Sequence, residues 1–462
     1  MCIRDSFTIY LEPSQAIAAI AALYCGGTFG GSITAILINA PGAPPAAATA
    51  FDGFPMAQKG QAGKALGMAA VSSVVGGVIS LMVLITFAPT LARIAYKFGP
   101  PEYFALAIFG LSMLASISSK SPVKNLIGGL IGLFVATIGV HLTTGISRFT
   151  FGVDELFEGI SFVPVLIGLF AMSEILVQAS KSELFLERIK FSAIKLPSIN
   201  EFKSCGKSIL RSSGIGTFIG ILPAEGGTVS AMIGYNEARR WSKNKENFGK
   251  GELEGIAAPE AANNAVNGPT LVPLLTLGIP GDNVTAILLG AFVAHGLRPG
   301  PELMSEQGSI VFAILLCMLL ANILFLILGY LTMPIFSKVV TIKKSYLIPL
   351  TIIFAFAGSF VFRHNPADLY FLLFFGIFGY VLKKLEFDVT PLVMAFILAP
   401  SLEYAFGQTL SLGDNNIIMF LLSERPIAAL IIISTPVITW KLWKRSKKLR
   451  DVATTITSEQ VK

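Results

Sequence analysis

Charge is what this 462-residue chain has least of: 14% of its residues are Asp, Glu, Lys or Arg, against 53% hydrophobic and a mean hydropathy of +0.71. Soluble domains carry about 25% charged residues, so the shortfall excludes an ordinary water-soluble enzyme. The charges present are also unevenly spread. Residues 65–92, 125–147, 307–337 and 345–362 contain none, in runs of 28, 23, 31 and 18. A stretch of about 18 apolar residues crosses the hydrocarbon core of a bilayer, and so many of them in one chain make a polytopic membrane protein.

Other scarcities narrow the chemistry. Four cysteines, Cys2, Cys25, Cys205 and Cys317, have no spacing that fits a metal site or a disulfide framework, and read as small apolar side chains. His141, His295 and His364 are scattered without ligand spacing. No HExxH, GxSxG or Walker-A sequence occurs, so hydrolase and ATPase chemistry has no anchor. No catalytic residue, cofactor or metal-ligand cluster is expected. The net charge of +7 hints at nucleic acid, but Lys441, Lys444, Arg445, Lys447, Lys448 and Arg450 follow directly on the last apolar segment. That placement marks a cytoplasmic stop beside anionic lipid and removes the case for a nucleic-acid partner.

What the chain does have is apolar runs, with cores near 16–38, 66–92, 103–119, 125–141, 160–179, 208–222, 269–297, 309–333, 346–362, 368–382, 389–407 and 426–440. They predict an all-α polytopic membrane protein of about eleven transmembrane segments, with 16–38 and 269–297 interrupted. Basic residues alternate between successive loops toward the C-terminus, which places that end in the cytoplasm. The long polar stretch after 180 divides the chain into an N-terminal membrane half at 7–180, a cytoplasmic linker at 181–207, a C-terminal membrane half at 208–440 and a basic cytoplasmic tail at 441–462. Residues 1–6 resemble neither a signal peptide nor a helix start, and read as an artefact or a truncated start.

A weak internal repeat runs through the two halves. Residues 33–42 read ITAILINAPG and residues 272–281 read VPLLTLGIPG; after a two-residue gap, Gly53–Gly63 falls on Gly290–Gly300. Proline cannot donate the helical hydrogen bond, so a helix must break at Pro41-Gly42 and again at Pro280-Gly281. Broken backbone at membrane depth is stable only inside protein or around a wet cavity. Paired breaks in two related halves are the strongest sequence pointer to a transporter's central site. Polar residues surround both: Ser32, Thr34 and Asn39 before the first, Thr276, Asp282, Asn283 and Thr285 around the second. Just upstream, Glu260, Asn263 and Asn264 share one helical face. A Gly-rich unit at 216–228, GTFIGILPAEGGT, contains a possible anion-binding nest of backbone amides. Asp52 reads equally well as a coupling-ion ligand or a turn residue.

YCGGTFGGSITAILINAPG, AFDGFPMAQKGQAG, RFTFGVDELFEGISFVPVLIGLFAMSEIL and FGKGELEGIAAPEAANNA with LVPLLTLGIPG together resemble the large membrane subunit of tripartite tricarboxylate transporters, the TctA type, from about Tyr24 to Pro426. The resemblance implies a bacterial inner-membrane secondary transporter, not an enzyme, that takes up carboxylates with a cation, usually sodium. It also implies a small membrane subunit and a periplasmic solute-binding protein as partners. In the Gly-rich unit the family usually has Leu-Pro-Gly-x-Gly, whereas here Pro223 is followed by Ala224 and Glu225. The substrate residues expected on these grounds are Ser32, Asn39, Pro41, Gly42, Gly227, Thr228, Pro280 and Gly281, with Asn263, Asn264 and Thr276 for the cation. A membrane-embedded enzyme or a channel acting on small anions is the alternative.

Laid over the first half, the repeat puts the counterpart of Gly216 before Met1. The expected outcome of sequencing upstream in the source DNA is an in-frame apolar stretch with a Gly-Pro-rich break. An in-frame stop directly before Met1, with full transport by this chain, would show the repeat argument to be wrong.

Overall fold

Inside hydrocarbon a chain must satisfy its own N–H and C=O groups, and a single apolar run can do so only as a helix. The computed structural model describes residues 11–39, 41–95, 98–117, 121–141, 144–180, 195–221, 226–278, 280–297, 299–300, 303, 306–339, 344–413 and 416–441, and these are overwhelmingly helical. Among them, five helices are long and apolar enough to cross a membrane: Pro13–Ile38, the 42-residue run Ala46–Phe87, Phe162–Ser180, Gly308–Thr332 and Thr390–Leu412. Ile417–Ser423 and Pro426–Lys441, bent by 106°, supply a sixth if they act as one span. Pro122–Ala136, Val284–Val293 and Ile348–Arg363 are shorter apolar helices. The all-α membrane fold is therefore present. Fewer than eleven helices reach full span length because several apolar runs are short or divided.

The chain forms two compact units. The first draws on Phe7–Arg93 and Ser182–Leu350, the second on Ile94–Lys181 and Thr351 onward. Each takes one segment from either side of 181–207, so contacts partition the chain differently from the halves read along the sequence. Residues 1–10, 181–194 and 442–462, which include the expected artefact, most of the linker and nearly all of the tail, lie outside the described residues.

The first unit contains α1 (Pro13–Ile38), α2 (Ala46–Met56), α3 (Ala62–Ala95), α4 (Ile199–Gly220), α5 (Gly226–Trp241), α6 (Glu254–Asn264), α7 (Leu271–Leu277), α8 (Asn283–Ala294) and α9 (Gly308–Val339). The interruption expected within 16–38 is not there. α1 runs unbroken through its four glycines, and the break comes after it, at Asn39. α2 and α3 are joined by a π turn in which Gly60 takes a φ of 76°.

Small residues let helices approach to backbone contact, which is how membrane helices pack without a hydrophobic drive between them. α6 is where this matters. A Cβ on Gly76 of α3 would run into the carbonyl oxygen of Ala261, and one on Gly216 of α4 into that of Ala262. On α5, a Cβ at Gly234 would stand 2.9 Å from the Ala262 Cβ. Met68, Cys205, Ile209, Ala257 and Ala261 fill the contact between α3, α4 and α6. Burial pushes the Cys205 thiol up to about 12, in keeping with an inert apolar role.

Asp52 of α2 is fully buried and holds the entrance to α6. Its Oδ1 accepts from the backbone N–H of Gly249, Gly251 and Glu252 at 2.8–2.9 Å, and its Oδ2 accepts from the Tyr235 hydroxyl at 2.9 Å. Gly255 has no room for a side chain, because a Cβ there would strike the Asp52 carboxylate. Burial and the neighbouring Asp52 charge raise the Tyr235 pKa, so the phenol stays a donor. The carboxylate thus anchors the loop before α6 from within α2; Asp52 does not sit in a turn of its own beside Gly53.

The second unit packs the same way. A Cβ on Gly132 would run into the Leu392 carbonyl oxygen, which seats Pro122–Ala136 against Thr390–Leu412. The two-residue strands Gly139–Val140 and Ser147–Arg148 pair antiparallel, and Arg148 grips Glu403 through both terminal nitrogens at 2.5 and 3.1 Å. Asp368, fully buried, is paired with Arg363 at 3.1 Å.

Asp52→Ala leaves three backbone donors unpaired at about 1–3 kcal/mol each. The expected outcome is a loss of about 3 kcal/mol or more in unfolding free energy in detergent, while Asp52→Asn loses less because an amide oxygen still accepts. Equal stability of the alanine variant and the parent would show that the clamp contributes nothing.

Candidate functional site

The two Pro-Gly motifs build the same turn. α1 ends at Asn39 and α7 at Gly278, matching positions of the repeat, and both take left-handed backbone, with φ of 51° and 68°. Glycine adopts that conformation freely and asparagine more readily than most residues. Each N–H reaches back five residues, from Asn39 to the Thr34 carbonyl and from Gly278 to that of Pro273, the closure of a Schellman-type helix end.

Three residues further on, the correspondence holds again. A Cβ on Gly42 would stand 3.0 Å from the Gly31 Cα, and one on Gly281 would stand 3.0 Å from the Thr270 carbonyl oxygen. Gly31 and Thr270 are themselves matching positions. The next helices start at Ala46 and Asn283, equivalent once the two-residue gap is counted. Thr28 and Asn267, equivalents 239 residues apart, hydrogen-bond to each other at 3.3 Å. Equivalent residues meet only near the axis that relates two copies, so that axis passes between α1 and the turn joining α6 to α7.

The breaks differ in charge. Asp282 caps α8 and exchanges bonds with Thr285 in a capping box, at 2.7 Å in each direction. Tyr24 donates to the other Asp282 oxygen and lies 3.3 Å from the Thr270 hydroxyl. The positive start of α8 is therefore closed by the protein's own carboxylate. The start of α2 has no side-chain cap; Ala46, Ala47 and Ala48 donate instead to the carbonyls of Ala43, Pro44 and Pro45.

Between the breaks lies Glu260, fully buried on α6. The Ser32 hydroxyl from α1 and the Thr49 hydroxyl from α2 donate to its Oε1, the latter at 2.5 Å, and the Ser73 hydroxyl from α3 donates to its Oε2 at 2.8 Å. Among the described residues no basic side chain pairs with it. A buried carboxylate costs several kcal/mol of lost hydration, and hydrogen bonds to a charged group return about 1.5–3 kcal/mol each. Three hydroxyls balance the cost without supplying any positive charge. Asn264, one turn on, donates to the Glu260 carbonyl oxygen at 3.0 Å, leaving its Oδ1 without a partner. The Ser72 hydroxyl, also fully buried, has none either.

The third element is the start of α5. A Cβ on Gly227 would stand 3.0 Å from both the Asn263 Oδ1 and the Pro45 Cγ, so this helix start, α6 and the chain after the first break converge. Asn263 is 3% exposed and its Nδ2 has no partner.

Of the residues expected from sequence, Ser32, Asn263, Asn264 and Gly227 are gathered about α6. Thr228 is half-buried beside Gly227, and Pro280 and Gly281 are buried at the second break. Asn39, Pro41 and Gly42 shape the first break but are exposed. Thr276 is buried, with its hydroxyl donating to the Val272 carbonyl at 2.6 Å inside its own helix. Glu225 and the Asn283 side chain lie outside the described residues. Sequence reasoning passed over Tyr24, Thr49 and Ser73. Single hydroxyls in apolar runs carry little signal, although Ser73 lies three residues before Gly76, where the helices touch. Among the described residues no cluster of three or more His, Cys, Asp or Glu side chains is placed to hold a metal ion.

Residues 3–394 match the tripartite tricarboxylate transporter TctA family. The chain is 36% identical over 425 residues to an uncharacterized 52.8 kDa protein in the TAR-I ttuC' 3' region of Agrobacterium vitis, covering 91% of this chain and 84% of that protein. It is also 36% identical over 214 residues to an uncharacterized protein in the TAR-II ttuC' 3' region of the same organism, covering 46% of this chain and 88% of that protein. No solved structure matches.

Gly281→Leu drives a side chain against Thr270 and disturbs the Tyr24–Asp282 contact. The expected outcome is normal membrane insertion with loss of transport. Near-normal transport by a well-folded variant would remove the second break from the site.

Proposed function

The chain belongs to the tripartite tricarboxylate transporter TctA family, and on that premise we propose that it is the large permease subunit importing organic di- and tricarboxylates together with a cation, sodium in the first instance. The observation that carries the reading is the pair of matching Pro-Gly breaks flanking a buried polar cluster on α6. Broken helices of this kind offer backbone donors to anions and released carbonyls to cations at membrane depth.

The substrate carboxylate is assigned to the start of α5, where Gly227 and Thr228 present helix N-terminal N–H groups and the bare Nδ2 of Asn263 adds a donor. Asn263 thereby moves from the cation set to the substrate set, because its free atom donates. Ser32, Asn39, Pro41, Gly42, Pro280 and Gly281 shape the two breaks around it. The cation is assigned to the bare Oδ1 of Asn264, with Thr276 offering only lone pairs. Transport proceeds by alternating access, with substrate delivered by a periplasmic binding protein and a small membrane subunit completing the complex. The setting is the bacterial inner membrane, with the C-terminus in the cytoplasm.

The test is uptake of labelled succinate, citrate and related di- and tricarboxylates into proteoliposomes holding the complex, with and without a sodium gradient. The reading requires gradient-driven accumulation of at least one of them; none transported under any gradient would overturn it. Asn264→Ala is expected to raise the sodium concentration for half-maximal uptake by about tenfold, the equivalent of about 1.4 kcal/mol of ligand interaction, with a smaller effect on the substrate concentration. Unchanged sodium dependence in a folded protein would assign Asn264 to the scaffold.

A further inference from the structure

One buried acid remains outside that assignment. Glu260 is fully buried, and the groups that act on its carboxyl are the hydroxyls of Ser32, Thr49 and Ser73, from three different helices. Among the described residues no charged or titratable group faces it from α1, α2, α3 or its own helix. Its negative charge thus meets only neutral hydroxyls, and two further oxygens, the Asn264 Oδ1 one turn along α6 and the hydroxyl of Ser72 next to Ser73 in sequence, are buried without partners. An oxygen-only set around one carboxylate suits a hard cation of low charge. An ionisable group at membrane depth is retained against a substantial cost, and marks ion pathways.

The repeat supplies an internal comparison. At the equivalent positions of the other copy, Glu260 is replaced by Ala21, Ser32 by Leu271 and Thr49 by Ala286, all fully buried and all apolar. The fold tolerates an apolar filling at the equivalent place, so packing alone does not call for a carboxylate from one copy and two hydroxyls from the other here.

We infer that Glu260, with Ser32, Thr49 and Ser73, is a binding site for one monovalent cation, a sodium ion or a proton, whose occupancy couples the transport cycle to an ion gradient. This rests on the proposed transport reading and deepens it: the coupling charge is carried by Glu260, and the lone Asn264 oxygen is an accessory ligand. When the cation is bound the cluster is neutral, and when it is absent the hydroxyls turn their hydrogens to the carboxylate.

The test has a binding arm and a transport arm. In the first, purified protein in detergent is heated across a series of NaCl concentrations, with choline chloride holding ionic strength, and across a pH series without sodium. The parent is expected to gain thermal stability saturably with sodium, or with falling pH if the proton is the ligand, and Glu260→Gln is expected to lose that dependence. In the second, Glu260→Gln, which mimics the neutralised carboxyl, is expected to lose gradient-driven accumulation while keeping exchange of labelled for unlabelled carboxylate. Thr49→Val and Ser73→Ala, which keep the carboxyl, are expected to raise the half-saturating sodium concentration by about fivefold to tenfold. If the proton is the ligand, they are expected to lower the half-saturating proton concentration, because the lost hydroxyls had stabilised the charged carboxylate. They carry the test if Glu260→Gln fails to fold. Cation dependence in Glu260→Gln equal to that of the parent overturns the assignment, as does a parent stability indifferent to both sodium and pH, or hydroxyl variants with unchanged half-saturation. A parent that binds cation but moves no carboxylate would overturn the transport reading and leave the cation site standing.

Discussion

The carboxyl group of Glu260 can gather hydroxyls from α1, α2 and α3 only because α3 and α4 approach α6 to backbone distance. Gly76 against Ala261 and Gly216 against Ala262 leave no room for a Cβ. With side chains there, α3 and α4 would stand off α6 and Ser73 would fall out of reach. Close approach costs conformational freedom, since glycine is the least favourable ordinary residue in a helix. It returns van der Waals contact in a medium where apolar side chains gain nothing by leaving lipid. The hydroxyl–carboxyl cluster then makes the arrangement specific, because only one register of each helix satisfies it.

The same scaffold appears twice with different chemistry. Asn39 and Gly278, Gly31 and Thr270, Gly42 and Gly281 play matching geometric parts, while polar function is distributed unequally. One copy supplies Glu260 and Asn267, the other Ala21 and Thr28. One break is followed by an aspartate that caps its own helix, the other by prolines and alanines without a side-chain cap. Asp52, though buried and acidic, belongs to neither pattern; with three backbone amides and a phenol on its oxygens it is already fully engaged in holding the loop before α6.

Much of the helix layout was legible in the sequence. The long apolar runs place helices correctly at Pro13–Ile38, Ala62–Ala95, Phe162–Ser180 and Gly308–Val339, because hydrocarbon length and backbone satisfaction favour a helix for such runs. The position of both breaks was legible for the equally local reason that proline lacks a donor. The interruption expected within 16–38 is absent although α1 holds four glycines, because glycine weakens a helix without stopping it when a neighbour packs against it, as Ala43 does against Gly31. Of the polar residues, Ser32 and Asn264 stood near a break or a carboxylate in sequence and were found. Thr49, three residues before Asp52, and Ser73, beside Ser72, carried no local mark that tied them to Glu260, and were not.

The sequence by itself determined the solvent, the secondary structure, the two interruptions and the family, since each depends on residues within one helix or on long continuous motifs. Only the tertiary structure decided that segments flanking residues 94–181 form one unit, that Asp52 is a clamp, that Asp282 closes the helix end it precedes, and that Glu260 is met by hydroxyls 187 to 228 residues away. The physical reason is one of range. Apolar run length and proline geometry act within about 20 residues, whereas the pairing of a buried carboxyl depends on which helices touch, and that is set by where glycines on separate segments let their backbones meet.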